Sequence, residues 1–206
     1  MPPARKHPPR RPSTSSGTSP SRRPVVFAGV AALVAGLVIA GVLVATRGES
    51  SGSSPEAALA AAGCTLRTFP DQGQQHVDSY DAKVSYNSTP PTSGTHHQRP
   101  VIWGAYDDEV PAVAEVHNLE HGGVIVHYGD KVDPATVAKL RAFYDESPNG
   151  MLLAPYTGLA NRVTLSAWTR LASCRSYDEA AFAAFRSAYR GNGPERFRIG
   201  DLVPGT

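Results

Sequence analysis

Residues 117–128 read HNLEHGGVIVHY and decide the fold, because they join the end of a predicted helix to a predicted strand. Val124–Tyr128 is a continuous run of mostly β-branched residues, which is typical of a central strand covered on both faces. Residues 113–121 before it are expected to be helical, and Gly122 is expected to end that helix. The stretch therefore predicts a helix that turns directly into the centre of a sheet.

The segments around this stretch predict a domain of the α+β class. Further strands are expected at residues 83–86, 151–156 and 162–168, from alternating or continuous apolar patterns. Two main helices are expected to begin at Asp133 and at Ser176, the first residue of a capping box, and a short helix follows Ser54. The sheet is expected to be small and either mixed or antiparallel. The order strand, helix, strand, strand, helix is related to a split βαβ arrangement that lacks its last strand.

The composition excludes a wholly disordered chain and does not indicate a nucleic-acid-binding protein. Of the 206 residues, 41% are hydrophobic and 18% are charged, which suffices for a folded core. Residues 1–46 carry six Lys and Arg and no Asp or Glu. The remaining 14 Lys and Arg face 18 Asp and Glu, so the rest of the chain has a net charge of −4. The cations in this acidic part form no stripe that could follow a nucleic acid backbone.

The N-terminal segment has the sequence features of a membrane anchor. Residues 1–24 are basic and rich in Pro and Ser, and they are predicted to be disordered. Residues 25–46 are 22 uncharged residues, enough for roughly 33 Å of helix across a hydrocarbon core of roughly 30 Å. They are expected to form a transmembrane helix in the lipid bilayer, and a cleaved signal peptide is the alternative. The cations before the span predict a cytoplasmic N-terminus and an extracytoplasmic C-terminal domain at the cell membrane.

The part after the span is expected to be a tether followed by one folded domain. Residues 47–62 contain a Gly- and Ser-rich tether and a short helix, and residues 63–206 are expected to form the extracytoplasmic α+β domain. Residues 59–64 (LAAAGC) resemble a lipoprotein cleavage box, in which Cys64 would be acylated. The apolar run before this cysteine is short and contains Glu56, which disfavours lipidation.

The two cysteines of the chain, Cys64 and Cys174, lie at the start and near the end of the expected domain. Outside the cytoplasm, an even pair in one folded domain is most simply a disulfide. Closing this long loop would stabilise the domain by roughly 4–5 kcal/mol. Two unrelated free thiols are the alternative.

Histidines are concentrated in one part of the domain. One of the seven lies in the basic tail, and the others are His76, His96, His97, His117, His121 and His127. His117 and His121 are one turn apart on the expected helix, a spacing that can bind one metal ion. With Glu120 they form an H-x-x-E-H sequence, which is the zinc motif of inverzincin peptidases. In such a peptidase, Glu120 would polarise a zinc-bound water.

Several motifs together resemble an uncharacterised bacterial family. They are PPTSG at residues 90–94 with His96 after it, WGAY at residues 103–106, HNLEHGG at residues 117–123, and Ala167-Trp168 before a cysteine. The resemblance is to a domain of unknown function found mainly in actinobacteria, and it covers residues 63–195. It implies a single N-terminal membrane span and an extracytoplasmic domain, and it implies no activity. The family's histidines fall on His76, His96, His117 and His121, whereas His97 and His127 match less well.

These four histidines are expected to bind one transition-metal ion, copper or zinc, because imidazole suits both ions. Glu120 is expected to hold a ring N–H of a ligand from outside the ligand set. The protein is then expected to be a binding protein more than an enzyme, with an unknown envelope protein as a partner. Two alternatives stay open. One is a non-catalytic structural or protein-interaction module with a metal-free polar histidine core, and the other is a zinc hydrolase that uses the H-x-x-E-H motif.

Overall fold

The computed structural model describes residues 54–206. The predicted basic tail at residues 1–24, the predicted transmembrane helix at residues 25–46 and the predicted tether up to residue 53 lie outside the described residues. Within residues 54–206, no helix is both long enough and apolar enough to span a membrane. These residues contain four α-helices and a mixed sheet, which confirms the α+β class.

Helices and strands are short and are joined by long loops in the first half of the domain. The helices are α1 (Pro55–Ala61), α2 (Ala112–Glu120), α3 (Pro134–Glu146) and α4 (Glu179–Tyr189). The strands are β1 (Thr65–Thr68), β2 (His76–Val77), β3 (His96–His97), β4 (Gly104–Ala105), β5 (Val124–Tyr128), β6 (Met151–Pro155), β7 (Val163–Ala167) and β8 (Arg170–Cys174). A 3₁₀ turn at Ile199–Asp201 follows the last helix.

Six strands form one mixed sheet in the order β1-β8-β7-β5-β6-β4. Strand β6 pairs parallel with both β5 and β4, whereas the pairs β5–β7, β7–β8 and β8–β1 are antiparallel. Strand β5 therefore lies in the interior of the sheet, between β7 and β6, as its apolar run predicts. The predicted relation to a split βαβ arrangement is wrong, because β5 and β6 are direct neighbours with α3 as their connection. Strands β2 and β3 form a separate parallel pair.

The capping residues in the sequence correctly predict where two helices begin, and the predicted start of a third helix is wrong. The Ser54 side chain caps α1 and the Asp133 side chain caps α3, as predicted. Helix α4 begins later than predicted, since Asp178 and not Ser176 accepts a hydrogen bond from the Ala181 N–H. An Asp is as good a cap as a Ser, so the sequence offers two starting points and the packing of the helix selects one.

The strands of the structure differ from the predicted ones, since residues 83–86 form no strand and strands β1 to β4 and β8 were not predicted. For residues 83–86 and for β8 the physical reason can be identified. Residues 83–86 form no strand, and nearby backbone groups pair with a side chain instead: Gln72 Nε2 donates to the Ser85 carbonyl oxygen, and the Asn87 N–H donates to Gln72 Oε1. Strand β8 was not predicted. It follows β7 through a tight turn in which Thr169 has a φ of 59°, a left-handed conformation that sequences usually mark with glycine.

The two faces of the six-stranded sheet differ in chemistry. One face is the main apolar core, on which α1, α3 and α4 pack. Its buried side chains come from alternate strand positions and from the three helices, and they include Val124, Val126, Val163, Leu165, Leu59, Leu140, Phe143, Phe182 and Phe185. This face therefore provides most of the apolar burial that stabilises the domain.

The opposite face carries polar side chains beneath α2. His127 lies opposite Thr164 across the strands, and Ile125 lies opposite Ser166, and all four side chains are buried. The His127 Nε2 lies 2.8 Å from the Oε1 of Glu115 on α2. The same helix joins a small apolar cluster around Ile125. Helix α2 is thus held against the sheet by one buried polar pair and a few apolar contacts.

The predicted disulfide between Cys64 and Cys174 is present. Cys64 lies between α1 and β1, and Cys174 is the last residue of β8. Both residues belong to the main apolar core. The disulfide therefore ties α1 to the sheet across a sequence separation of 110 residues.

We expect Cys64→Ala/Cys174→Ala to be less stable than the wild type by roughly 4–5 kcal/mol, because the unfolded chain regains the entropy of the open loop. Urea denaturation followed by circular dichroism measures the difference in the free energy of unfolding. Reduction of the wild type under the same conditions should give the same loss. Denaturation midpoints that stay unchanged in both experiments would contradict the expectation.

Candidate metal centre

Two short strands and one helix bring four potential ligands to one place. Strands β2 and β3 run parallel, and their register places His76 beside His96. The His96 N–H also donates to the Gln75 carbonyl oxygen at 2.8 Å, which fixes the pair of strands at this point. Helix α2 contributes His117 and Glu120, which are three positions apart and therefore share a helix face.

The loop before His96 is fixed by its own polar groups and by one glycine. The hydroxyl groups of Ser88 and Thr92 are 3.1 Å apart, and both residues are buried. Gly94 has a φ of 118°, which residues with a side chain rarely adopt. A Cβ at this position would also lie 3.2 Å from the Cβ of Gln72. The loop therefore determines where β3 begins and where the His96 ring lies.

The ligand atoms of His76, His96, His117 and Glu120, which we call the inner group, lie within 4.8 Å of one another. The Glu120 Oε2 is 3.0 Å from the Nε2 of His96. It is 3.8 Å from the Nε2 of His76 and equally far from that of His117. A tetrahedral ion with bonds of about 2.0–2.1 Å needs ligand atoms roughly 3.3 Å apart. The observed distances bracket this value, so small side-chain shifts would let all four atoms bind one ion.

Backbone carbonyl groups determine the tautomers of two histidines in the inner group. The Nδ1 of His96 lies 2.8 Å from the Gly94 carbonyl oxygen. The Nδ1 of His117 lies 2.8 Å from the His97 carbonyl oxygen. Because a carbonyl oxygen can only accept a hydrogen bond, each Nδ1 carries a proton and donates it. In a neutral ring, the Nε2 then keeps a free lone pair. The Nε2 of His96 lies beside Glu120, and that of His117 lies near both Glu120 and His121.

This arrangement makes two hydrogen-bond acceptors face each other. The Nε2 lone pair of His96 faces the Glu120 carboxylate oxygen at 3.0 Å. Two acceptors at this distance repel unless a proton or a metal ion lies between them. The side chains of His96 and Glu120 are 0% and 3% exposed, so water screens the repulsion little. The electrostatics of the inner group therefore favour the binding of a cation.

Burial affects the protonation of the inner group and leaves one side of it open. Desolvation, the largest effect, lowers the pKa of His117 below its usual value. The neutral imidazole that results is the form that binds a metal ion. The His76 side chain is 46% exposed, while the other three members are buried. The inner group therefore contacts solvent on the side of His76.

A second set of potential ligands adjoins the inner group. The Nε2 of His121 lies 3.0 Å from the Nε2 of His117 and 3.1 Å from the Oε2 of Glu195. The ligand atoms of His117, His121 and Glu195, which we call the outer group, also lie within 4.8 Å of one another. Burial, and then the nearby His117, lower the pKa of His121 to about 4, so its ring is neutral at pH 7. The structure thus places His121 beside the inner group, in contact with one of its members.

Sequence reasoning missed Glu195, which reaches the site through backbone contacts. The Gly191 N–H donates to the Gly122 carbonyl oxygen at 2.7 Å, and the Glu195 N–H donates to the Glu120 carbonyl oxygen at 3.1 Å. A Cβ at Gly193 would lie 2.1 Å from the same Glu120 oxygen. The glycines after α4 were the one available signal, because glycine permits such a close approach of two backbones.

The other two histidines of the cluster have different contacts. The His97 ring stacks on Tyr80 with 3.8 Å between centroids, and its Nδ1 accepts a hydrogen bond from the Arg99 N–H. His127 pairs with Glu115 beneath α2, and both side chains are buried. Among the residues that the structure describes, neither histidine joins a group of potential metal ligands.

Residues 76–199 match a family that is described as "Protein of unknown function (DUF3105)". The match spans more than half of the chain and includes every member of the inner and outer groups. No curated protein and no solved structure matches the chain. The match agrees with the predicted resemblance to a domain of unknown function, and the family description assigns no activity.

We expect Gly193→Ala to destabilise the domain by about 1–3 kcal/mol, because the added methyl group would overlap the Glu120 carbonyl oxygen. The matched control is Gly200→Ala, since nothing lies within 4 Å of a Cβ at that position. Its effect should stay within about 0.5 kcal/mol. Urea unfolding of both variants measures the difference, and equal stabilities would show that the approach of the loop to α2 is not tight.

Proposed function

We propose that this chain, which belongs to the DUF3105 family of proteins of unknown function, is a membrane-anchored extracytoplasmic domain that binds one zinc or copper ion. The proposed ligands are the Nε2 atoms of His76, His96 and His117 and the carboxylate of Glu120. In this proposal Glu120 is itself a ligand, because its Oε2 lies among the ring nitrogens. The Nδ1–H groups of His96 and His117 already donate hydrogen bonds to backbone carbonyl oxygens.

One observation carries the proposal: a buried carboxylate oxygen faces ring nitrogens from three separate segments of the chain. A buried carboxylate is costly unless positive charge or hydrogen-bond donors compensate it. The His96 Nε2 cannot donate to it in the neutral tautomer fixed by Gly94, and a metal ion would satisfy both acceptors at once. The convergence of three imidazoles on this carboxylate also supplies the four ligands of a tetrahedral site.

The donor set favours zinc or divalent copper over a cuprous ion. Imidazole and carboxylate ligands suit Zn²⁺ and Cu²⁺, whereas Cu⁺ prefers thiolate or thioether sulfur. Both cysteines are joined in the disulfide, and Met151 is buried in the main apolar core. None of these three sulfur atoms is therefore offered to the inner group.

The number of ligands favours binding over catalysis. Four protein ligands complete a tetrahedral zinc site, whereas catalytic zinc sites have three protein ligands and an open position for water. The inner group offers four ligand atoms within 4.8 Å of one another. The function proposed here is therefore to hold an ion for storage or for structure, without turnover.

The proposed location follows from the sequence of the N-terminal segment together with the disulfide. Disulfides persist in oxidising compartments, so the Cys64–Cys174 disulfide supports a domain outside the cytoplasm. Residues 25–46 have the length and composition of a single membrane span, which makes the lipid bilayer one partner. An envelope protein at the same membrane surface is the second proposed partner.

A metal-free polar core is the main rival to this proposal. A proton on the His96 Nε2 would convert its contact with Glu120 into a buried imidazolium–carboxylate pair at the same 3.0 Å distance. Such a pair would be structural and would bind no ion. The two hypotheses differ in one measurable property, because only the metal-binding proposal predicts stoichiometric binding of an ion.

We expect Glu120→Gln to lower the affinity of the chain for Zn²⁺ by about 100-fold or more, since the loss of a residue that only orients a ligand already costs about 10–100-fold. Glu115→Gln is the matched control and should leave the affinity unchanged. Both carboxylates are buried on α2, and each contacts a buried histidine. Competition with a chelator measures both affinities after the purified chain has been stripped of metal.

Three other results would decide against the proposal. If elemental analysis and titration show that the wild type binds neither zinc nor copper, the metal-free polar core replaces it. If Glu120→Gln and Glu115→Gln weaken zinc binding equally, the inner group is not the site. If Glu120→Gln retains zinc and abolishes a peptide or ester hydrolysis that the wild type performs, the protein is a hydrolase.

A further inference from the structure

We propose that the outer group is a transfer position through which a single metal ion enters and leaves the inner group. The proposal rests on the proposed metal-binding function. It assigns His121 and Glu195 to the path of the ion, while the inner group is its resting position. His117 is a member of both groups, and its Nε2 lies 3.0 Å from the Nε2 of His121 in the outer group.

His117 belongs to both groups, and it can bond only one ion at a time. Its Nδ1 donates to the His97 carbonyl oxygen, so the Nε2 is the one nitrogen left for a metal. This nitrogen has a single lone pair, so an ion in the inner group and an ion in the outer group cannot both be bonded to it. The shared ligand therefore favours one ion with two adjacent positions.

The exposure of the carboxylates decreases along the proposed path. The Glu195 side chain is 47% exposed, whereas the Glu120 side chain is 3% exposed. An exposed carboxylate attracts cations from solvent and raises their local concentration. His76 is also exposed but brings no negative charge to the surface. A cation is therefore expected to approach at Glu195 and to move inward to Glu120 while His117 stays bonded.

A backbone contact holds the main chain of Glu195 beside that of Glu120. The Glu195 N–H donates to the Glu120 carbonyl oxygen at 3.1 Å, so the two carboxylate residues are joined directly. The Phe197 ring packs on the His121 ring with 4.2 Å between centroids, which limits rotation of that histidine. The ion thus has a preformed outer position, and reaching the inner group needs no rearrangement of the loop.

The test compares the rates and the equilibrium of Co²⁺ binding to the purified full chain as wild type and as Glu195→Gln. Stopped-flow absorbance of bound Co²⁺ measures association, and displacement by excess chelator measures dissociation. A transfer position accelerates both directions equally, so in the variant both rate constants should fall about tenfold or more while the dissociation constant is unchanged. Glu179→Gln removes an exposed carboxylate outside both groups and should retain the wild-type rates.

The other outcomes overturn the inference in distinguishable ways. If the wild type binds none of Co²⁺, Zn²⁺ and Cu²⁺, the proposed function fails and the inference fails with it. If the wild type binds Co²⁺ and Glu195→Gln shows wild-type rates, the inference fails alone. A weaker equilibrium affinity with an unchanged association rate would make Glu195 a resident ligand. Two ions per wild-type chain in elemental analysis would show that the two groups bind independently.

Discussion

The arrangement of the site depends on Glu120, the last residue of α2. Its side-chain oxygen lies within 3.8 Å of ring nitrogens on β2, β3 and α2 itself, and its backbone carbonyl oxygen accepts the N–H of Glu195. The carboxylate is almost completely buried, so its charge must be compensated by the groups around it. A loop that moved a histidine away from Glu120 would leave part of that charge uncompensated. The electrostatics of one side chain therefore constrain the positions of three segments.

Helix α2 owes its unusual environment to the division of the sheet into an apolar and a polar face. The apolar face is covered by three helices and supplies the main core. The polar face is covered by α2, in which residues 113–120 are all buried. This helix carries two buried carboxylates, and they differ in their partners: Glu115 meets one histidine, whereas Glu120 meets three. Among the described residues, the first pair leaves Glu115 Oε2 and His127 Nδ1 without a hydrogen-bond partner, whereas in the inner group acceptor atoms face each other and a cation would satisfy them.

Sequence patterns predicted the elements whose signals are local and missed those that depend on distant partners. The apolar run of β5, the cap of α3 and the pairing of the two cysteines need little information beyond their own segment and their compartment. Strand β8 was not predicted, because the turn before it has Thr169 in a left-handed conformation that sequences usually mark with glycine. Residues 83–86 have a strand pattern, yet Gln72 bonds the backbone beside and within them. Propensity was overridden there by a contact from another part of the chain.

For the site, the sequence by itself determined the ligand types and one spacing. Helical periodicity places His117 and His121 side by side, and the concentration of histidines marks the region. Tertiary structure alone decided how these residues are grouped: the register of β2 and β3 joins His76 to His96, and the turn of Glu120 toward them completes the inner group. It also brought Glu195 to His121 through backbone hydrogen bonds between glycine-rich turns. Such bonds join backbone N–H and carbonyl groups, which nearly all residues carry, so the spacing of side chains in the sequence does not predict them.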